Sequence, residues 1–180
     1  MKEDIKKEIE LTDGVTAELD GVILKIKGPK GEVERDFRHP QVKIEIKNGK
    51  IVLEVRKSTK REKAVIGSFE SHIKNFVQGV KEPHVYELKI CSGHFPMNAT
   101  VSGQELTIKN FLGEAVPRKV KLLPGGEVKI DGDKIIVSSP NKEIAGQNAA
   151  KIEQLCRITN RDRRIFQDGC YIINKAGKEL

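Results

Sequence analysis

DGVILKIKGPKGEV, residues 20–33, and SGQELTIKNFLGEA, residues 102–115, are two versions of one segment. Gly21 falls on Gly103, Leu24 on Leu106, Ile26 on Ile108, Lys27 on Lys109, Gly31 on Gly113 and Glu32 on Glu114. Self-similarity comes first in reading a chain, because it sets the unit that must fold. The match extends outward. VKIEIKNGKIVLEV (42–55) resembles GEVKIDGDKIIVSS (126–139), each with short alternating strands around a turn, Asn48-Gly49 in one copy and Asp131-Gly132 in the other. Asn-Gly and Asp-Gly accept the positive φ that a two-residue hairpin turn requires. Further on, AVIGSFESHIKNFV (64–77) parallels EIAGQNAAKIEQLC (143–156), with Gly67 on Gly146 and Ile73 on Ile152.

This last pair is helical by period. Val65, Phe69, Ile73, Phe76, Val77 and Val80 fall on one face of a helix. Thr59 and Glu62 form a capping-box pattern ahead of it. In the second copy, Ser139 followed by Pro140 reads as an N-cap with proline at the first helical position. Ile144, Ala145, Ala149, Ile152, Leu155 and Cys156 then make the buried stripe. Each copy is several short antiparallel strands followed by one helix, which must lie on the sheet to bury both apolar faces. The expected fold is α+β: two duplicated domains, each a small, mainly antiparallel sheet packed against one helix. The first is expected over 1–82 and the second over 83–180, joined by a linker at Val80–Pro83. Units of roughly 80–100 residues can each hold a modest core.

Composition narrows the function. The 180 residues carry 33 Lys/Arg against 26 Asp/Glu, a net charge of +7, and 37% are hydrophobic, which is globular rather than disordered. No apolar run approaches the ~20 residues needed to span a bilayer, so no membrane partner is expected. The charged opening MKEDIKKEIEL predicts no secretory signal. Cys91, Cys156 and Cys170 lie far apart with no CxxC pair, a pattern that suits a reducing cytosolic compartment. The sequon at Asn98–Thr100 is then incidental.

No GxGxxG, GxxxxGK[ST], HExxH or GxSxG motif occurs, so the sequence predicts no enzyme, no cofactor and no small-molecule substrate. The GPKG turn (Gly28–Gly31) sits between two strands with no helix behind it, and reads as a hairpin turn rather than a phosphate loop. Cys91-Ser-Gly-His94 has half of a zinc spacing and no second half, so no metal site is expected. His39, His72, His84 and His94 are scattered, and none stands beside an obvious nucleophile.

What remains is basic charge, which points to a polyanionic partner. RKSTKREK (56–63) sets Arg56, Lys57, Lys60, Arg61 and Lys63 against Glu62 alone. It enters the first turn of the first helix, where the macrodipole disfavours cations, so it reads either as a solvated loop or as a secondary contact for an acidic partner. RITNRDRRI (157–165) holds Arg157, Arg161, Arg163 and Arg164, and residues 157–180 carry six Lys/Arg against three Asp/Glu. A helix C-terminus favours a cation at Arg157. It does not explain four arginines, whose planar forks suit phosphate oxygens and base edges. The apolar IFQDGCYII behind them is expected to be a Gly turn and an anchoring strand, followed by a tail with Lys175 and Lys178. Only 4% of residues are aromatic, with no tryptophan, which argues for phosphate and shape recognition of a folded RNA over base stacking. Phe111 and Leu112, at the turn where the first copy has Pro29-Lys30, are expected either to pack under the neighbouring domain or to meet another macromolecule.

Taken together, the duplicated unit, VTAELDGVILKIKGPKGE (15–32), the HFP of His94–Pro96, VSGQELTIKNFLGE (101–114) and ITNRDRRIFQDGCYI (158–172) resemble the large-subunit ribosomal protein six family, called protein nine in eukaryotes. The likeness runs from about Glu8 to Gly177. The NRDRR and FQDG ending is similar to archaeal and eukaryotic members more than to bacterial ones, and the length suggests an archaeal-type member. The resemblance implies a non-enzymatic structural protein, cytoplasmic in the ribosome. It also implies contact with large-subunit rRNA near the sarcin–ricin loop and the factor-binding stalk base, among neighbouring ribosomal proteins and close to docking translational GTPases. It assigns rRNA contact to Arg157, Asn160, Arg161, Arg163, Arg164, Lys175 and Lys178, and gives Cys170 no role. A different reading of the residues is a protein–protein adaptor that uses the Phe111-Leu112 turn and the Arg56–Lys63 loop.

Overall fold

The computed structural model describes residues 3–12, 14–47 and 49–180; Asn48 of the expected Asn48-Gly49 turn lies outside the described residues. The chain divides into two compact units, residues 1–83 and 84–180.

In the first unit, β2 (Thr16–Asp20), β3 (Ile23–Gly28) and β4 (Gly31–Asp36) form an antiparallel sheet with β3 in the centre. A second sheet sets β6 (Lys50–Ser58) between β1 (Glu3–Glu10) and β5 (Val42–Lys47). Alternation decides the faces. Leu24 and Ile26 on β3, and Ile51 and Leu53 on β6, are fully buried, while Lys25 and Lys27 point outward to pair with Glu34 and Glu18. Helix α1 (Lys60–Lys81) closes the core with Ile66, Ile73, Phe76, Val77 and Val80. Its stripe is centred one residue from the expected line: Ile66 is fully buried, whereas Val65 and Phe69 pack at its margin. The capping box is present. The Thr59 hydroxyl accepts from Arg61 N, and the Glu62 carboxylate accepts from Thr59 N at 2.7 Å.

The GPKG segment is a hairpin turn docked on the end of α1. Lys30 N donates to Val80 O at 3.0 Å. A Cβ on Gly28 would stand 2.8 Å from Val80 Cβ and from its carbonyl oxygen, so only glycine permits this approach.

The second unit repeats both sheets. Strands β8 (Asn98–Ser102), β9 (Glu105–Lys109) and β10 (Arg118–Lys121) correspond to β2, β3 and β4, and β7 (His84–Cys91), β11 (Glu127–Asp131) and β12 (Lys134–Ser139) to β1, β5 and β6. Helix α2 (Lys142–Leu155) follows. The larger sheet then gains β13 (Gly169–Lys175) and β14 (Lys178–Glu179), in the order β11-β12-β7-β13-β14. The fold is thus α+β with a duplicated unit. No helix of the described residues is long and apolar enough to cross a membrane.

Three local expectations are corrected. The N-cap of α2 is Asn141, whose carboxamide oxygen accepts from Glu143 N at 2.9 Å. Ser139 is the last residue of β12, and its hydroxyl is committed to Gly125 O at 2.6 Å and to Asn141 N at 3.1 Å. The buried stripe of α2 also contains a polar residue, Asn148, which is fully enclosed because it accepts from Leu123 N at 2.7 Å and donates to Leu123 O at 3.2 Å. Finally, Phe111 opens no contact surface. Asn110 takes φ 60°, a short 3-10 turn spans Phe111–Gly113, and the ring swings into the core of its own unit, 1% exposed. Leu112 packs half-buried against the same core.

Candidate nucleic-acid interface

Helix α2 stops at Leu155, so Arg157, Arg161 and Arg164 do not share a helical face. A side chain that sequence reading missed completes the helix end. Arg118, on β10, donates from Nη1 to Leu155 O at 2.8 Å and to Arg157 O at 3.3 Å, placing a cation where helical carbonyls have no partner. Its guanidinium lies 4.1 Å above the Phe111 ring and is hydrogen-bonded to Glu114, Nε to Oε2 at 2.8 Å. Glu114 raises the Arg118 pKa, and Arg118 holds the Glu114 carboxyl below its usual range. The buried Phe111 therefore supports the residue that seats the start of the arginine loop.

The loop itself is an irregular but well-tied arch. Ile158 is buried at its start. Asn160 takes φ 58°, a left-handed conformation that asparagine tolerates. Asp162 then forms a turn, its carbonyl accepting from Ile165 N at 3.1 Å and Phe166 N at 2.9 Å. The far end is fixed by Asp168, 1% exposed, which accepts from Gly93 N at 2.5 Å and His94 N at 3.3 Å and sits 3.1 Å from His94 Nδ1. A buried carboxylate with this many donors is costly to displace. The His94 ring stacks on Phe166 at 4.7 Å. Cys91-Ser-Gly-His94 is thus the strand end and turn that grip Asp168; among the described residues no group of three or more His, Cys, Asp or Glu is arranged to hold a metal.

On this arch the arginines differ. Arg161 lies 4.8 Å over the Phe166 ring. Arg164, with 90% of its side chain exposed, donates from Nε and Nη2 to Asp162, at 3.1 and 2.8 Å. That hydrogen bond holds the Asp162 carboxyl below its usual range and raises Arg164, so part of this charge is already neutralised. Arg157 and Arg163 line a cleft of about 320 Å³ shared with Glu153, Cys156, Cys170 and Tyr171.

Lys175 and Lys178 do not join this group. They sit at the opposite end of β13, six residues of strand beyond Gly169, or about 20 Å away. There they are paired directly across the β13–β14 hairpin, a placement that like charges disfavour without an anion between them. The secondary cluster lies in the other unit. Arg56 and Lys57 lie near the end of β6, with Lys57 N donating to Asp4 Oδ1 at 2.7 Å, and Lys60, Arg61 and Lys63 lie in the first turn of α1.

Asp168 carried a faint signal in the sequence, an acid beside a glycine at the start of an apolar strand. Arg118 carried none, because its partner Leu155 is 37 residues away.

Comparison with known proteins accounts for the pattern. The family model for Ribosomal protein L6 matches residues 11–83 and again 95–169, one match to each copy of the duplicated unit. A protein of Methanosarcina mazei, large ribosomal subunit protein uL6, is 46% identical over 98% of this chain and 100% of its own length. Proteins of the same name from Methanocella arvoryzae and Nanoarchaeum equitans are 44% and 45% identical, over 94% and 98% of this chain and 97% and 96% of their own lengths. Two family matches and near-full-length archaeal relatives leave one assignment: the chain belongs to the ribosomal protein L6 family.

Proposed function

We propose that this protein is a structural component of the large ribosomal subunit, cytoplasmic within the ribosome, that binds large-subunit rRNA through the arginine loop 157–164. The name of the relatives, large ribosomal subunit protein, supports the subunit and the absence of a catalytic task. The observation that carries the RNA contact is the arch itself: four exposed arginines on a backbone held at both ends by buried groups, Ile158 and Asp168. Pre-ordered cations lose little freedom on binding, which favours phosphate contact. Lys175 and Lys178, facing one another across a hairpin, form a second phosphate contact, and the exposed Asn160 adds a neutral donor and acceptor within the loop. The Arg56–Lys63 cluster is a secondary contact for RNA or an acidic neighbour. In this reading the rRNA lies near the sarcin–ricin loop and the stalk base, with neighbouring ribosomal proteins around it and translational GTPases docking close by. No reaction follows; the work is charge neutralisation and scaffolding.

Salt dependence tests the contact. Binding to a large-subunit rRNA fragment that contains the sarcin–ricin loop should weaken steeply with salt, each neutralised phosphate adding ~0.7–0.9 to the log–log slope. Replacing Arg157, Arg161 and Arg163 together by Ala should lower that slope by about 2 to 3. An unchanged slope would transfer the main contact to Arg56–Lys63. Chemical footprinting on the whole rRNA reads the location, and protection confined to other regions would overturn the sarcin–ricin placement.

A further inference from the structure

Two groups beneath the arginine loop take no part in the RNA contact. Cys156 and Cys170 stand where the loop leaves α2 and where it enters β13, fourteen residues apart in the chain, with their sulfurs 3.6 Å apart. They are 4% and 2% exposed. We propose that Cys156 and Cys170 form a peroxide-sensitive dithiol whose oxidation product is an intramolecular disulfide that staples the two ends of the arginine loop.

The geometry already resembles the product. A disulfide needs its sulfurs at ~2.05 Å, so they must close by about 1.5 Å, a displacement within the range of a side-chain rotation. Both backbones are fixed. Cys156 N donates to the carbonyl oxygens of Gln154 and Glu153, and Cys170 is held in strand opposite Ile90. Both side chains also line the open cleft of about 320 Å³ that contains Arg157 and Arg163, which gives a molecule as small as hydrogen peroxide a route to the sulfurs. Cys91, the third thiol, is half-buried on β7 and lines a different surface depression with His94 and Asp168.

The surroundings divide the labour. The hydrogen bond shared by the two sulfurs holds Cys156 below the usual thiol range and, with burial, pushes Cys170 above it. The Arg118 guanidinium adds to the stabilisation of the Cys156 thiolate. Thiolate is the nucleophilic form, so Cys156 reacts first. Its sulfur attacks one peroxide oxygen, the O–O bond breaks, and hydroxide leaves to take up a proton as water; Cys156 is now a sulfenic acid. The Cys170 sulfur attacks that sulfur, the S–O bond breaks, and the hydroxyl departs with the Cys170 proton as a second water. Two thiols lose two electrons and one peroxide gains them.

The chemistry involves no RNA, so it can fail while the rRNA reading stands, and the reverse. The test uses the full chain in the Cys91→Ser background, which removes cross-linking through that thiol. Stoichiometric hydrogen peroxide should remove two hydrogens from the intact mass and join the Cys156 and Cys170 peptides in a digest. The apparent Tm of the second unit should rise by about 10 °C, and dithiothreitol should reverse it. Cys170→Ser should leave a sulfenic acid on Cys156 that dimedone traps, whereas Cys156→Ser should leave Cys170 largely unreacted. Persistence of both thiols under peroxide, disulfide formation no faster than in the urea-unfolded chain, or over-oxidation of Cys156 without a cross-link would each overturn the proposal.

Discussion

The two units follow the same strand order as far as the end of their helices and then part. After α1 the first unit is finished: Glu82 caps the helix in extended conformation and the chain moves on. After α2 the second unit continues through the arginine loop and returns as β13, antiparallel to β7, along the edge that in the first unit β1 leaves unpaired among the described residues. An unpaired edge needs protection. The first unit supplies it with charge, since β1 reads EDIKKEIE and its lysines are held by Glu8 and Glu70. The second unit covers the edge with its own chain, and β13 brings Cys170 and Ile172 into its core and leaves the arginine loop as the connection. The contrast teaches that the arginine loop is no loose tail. It is tied down at its far end because the strand behind it completes a sheet.

Removing that segment is the severest way to break the comparison. A chain ending at Cys156 should lose the folded second unit altogether, because β7 is stripped of one of its two neighbours and Ile158, Cys170 and Ile172 leave the core. Calorimetry or amide NMR should then show the first unit alone. A truncated chain with both units folded would mean that β13 is appended to the scaffold and not integrated in it. It follows that this truncation is a poor probe of RNA binding, and that point substitutions on the arch are the better one.

A milder test sets Phe111 against Pro29, its counterpart in the first copy. Phe111→Ala should cost about 3–5 kcal/mol, since the ring is enclosed and Arg118, which caps α2, rests on it. Pro29→Ala, at an exposed turn, should cost less than about 1 kcal/mol. Urea denaturation of the two variants reads both numbers. Similar losses would show that the two turns do the same structural task, contrary to the packing seen here.

Much of the scaffold was legible because its signals are local. Leu24 and Ile26 alternate with lysines, Thr59 stands three residues before Glu62, and α1 repeats its apolar side chains every turn. The duplication doubled each of these signals. What stayed hidden depends on partners far away in the chain. Nothing near Gly169 says that it pairs with Cys91, and nothing near Arg118 says that it meets Leu155. Nothing near Asn148 says that it belongs to the buried stripe, because its partner, Leu123, lies on another segment. Charge counting located the arginine loop, yet it could not separate Arg164, engaged by Asp162, from its neighbours, or see that β13 carries Lys175 and Lys178 to the other end of the sheet. Charge is read from composition; its availability is set by contacts.

The smallest expected effect lies at the two helix starts, which solve the same problem with different chemistry. Thr59 and Glu62 cap α1 reciprocally, whereas α2 relies on the carboxamide of Asn141. Glu62 accepts hydrogen bonds from the Thr59 hydroxyl and backbone, and these hold its carboxyl below the usual range. A depressed folded pKa means a contribution that is fully present above the unfolded value and lost as pH falls through the folded one. Acidification into that window should therefore loosen the first turn of α1, seen as faster exchange of its amides, and Glu62→Gln should remove this pH dependence. The cap hydrogen bond at Asn141 contains no ionisable group, so Asn141→Ala should cost about 1 kcal/mol at neutral and at acid pH alike. If α1 and α2 frayed in parallel on acidification, the cause would be global charge rather than the box at Thr59, and the two helix starts would be equivalent after all.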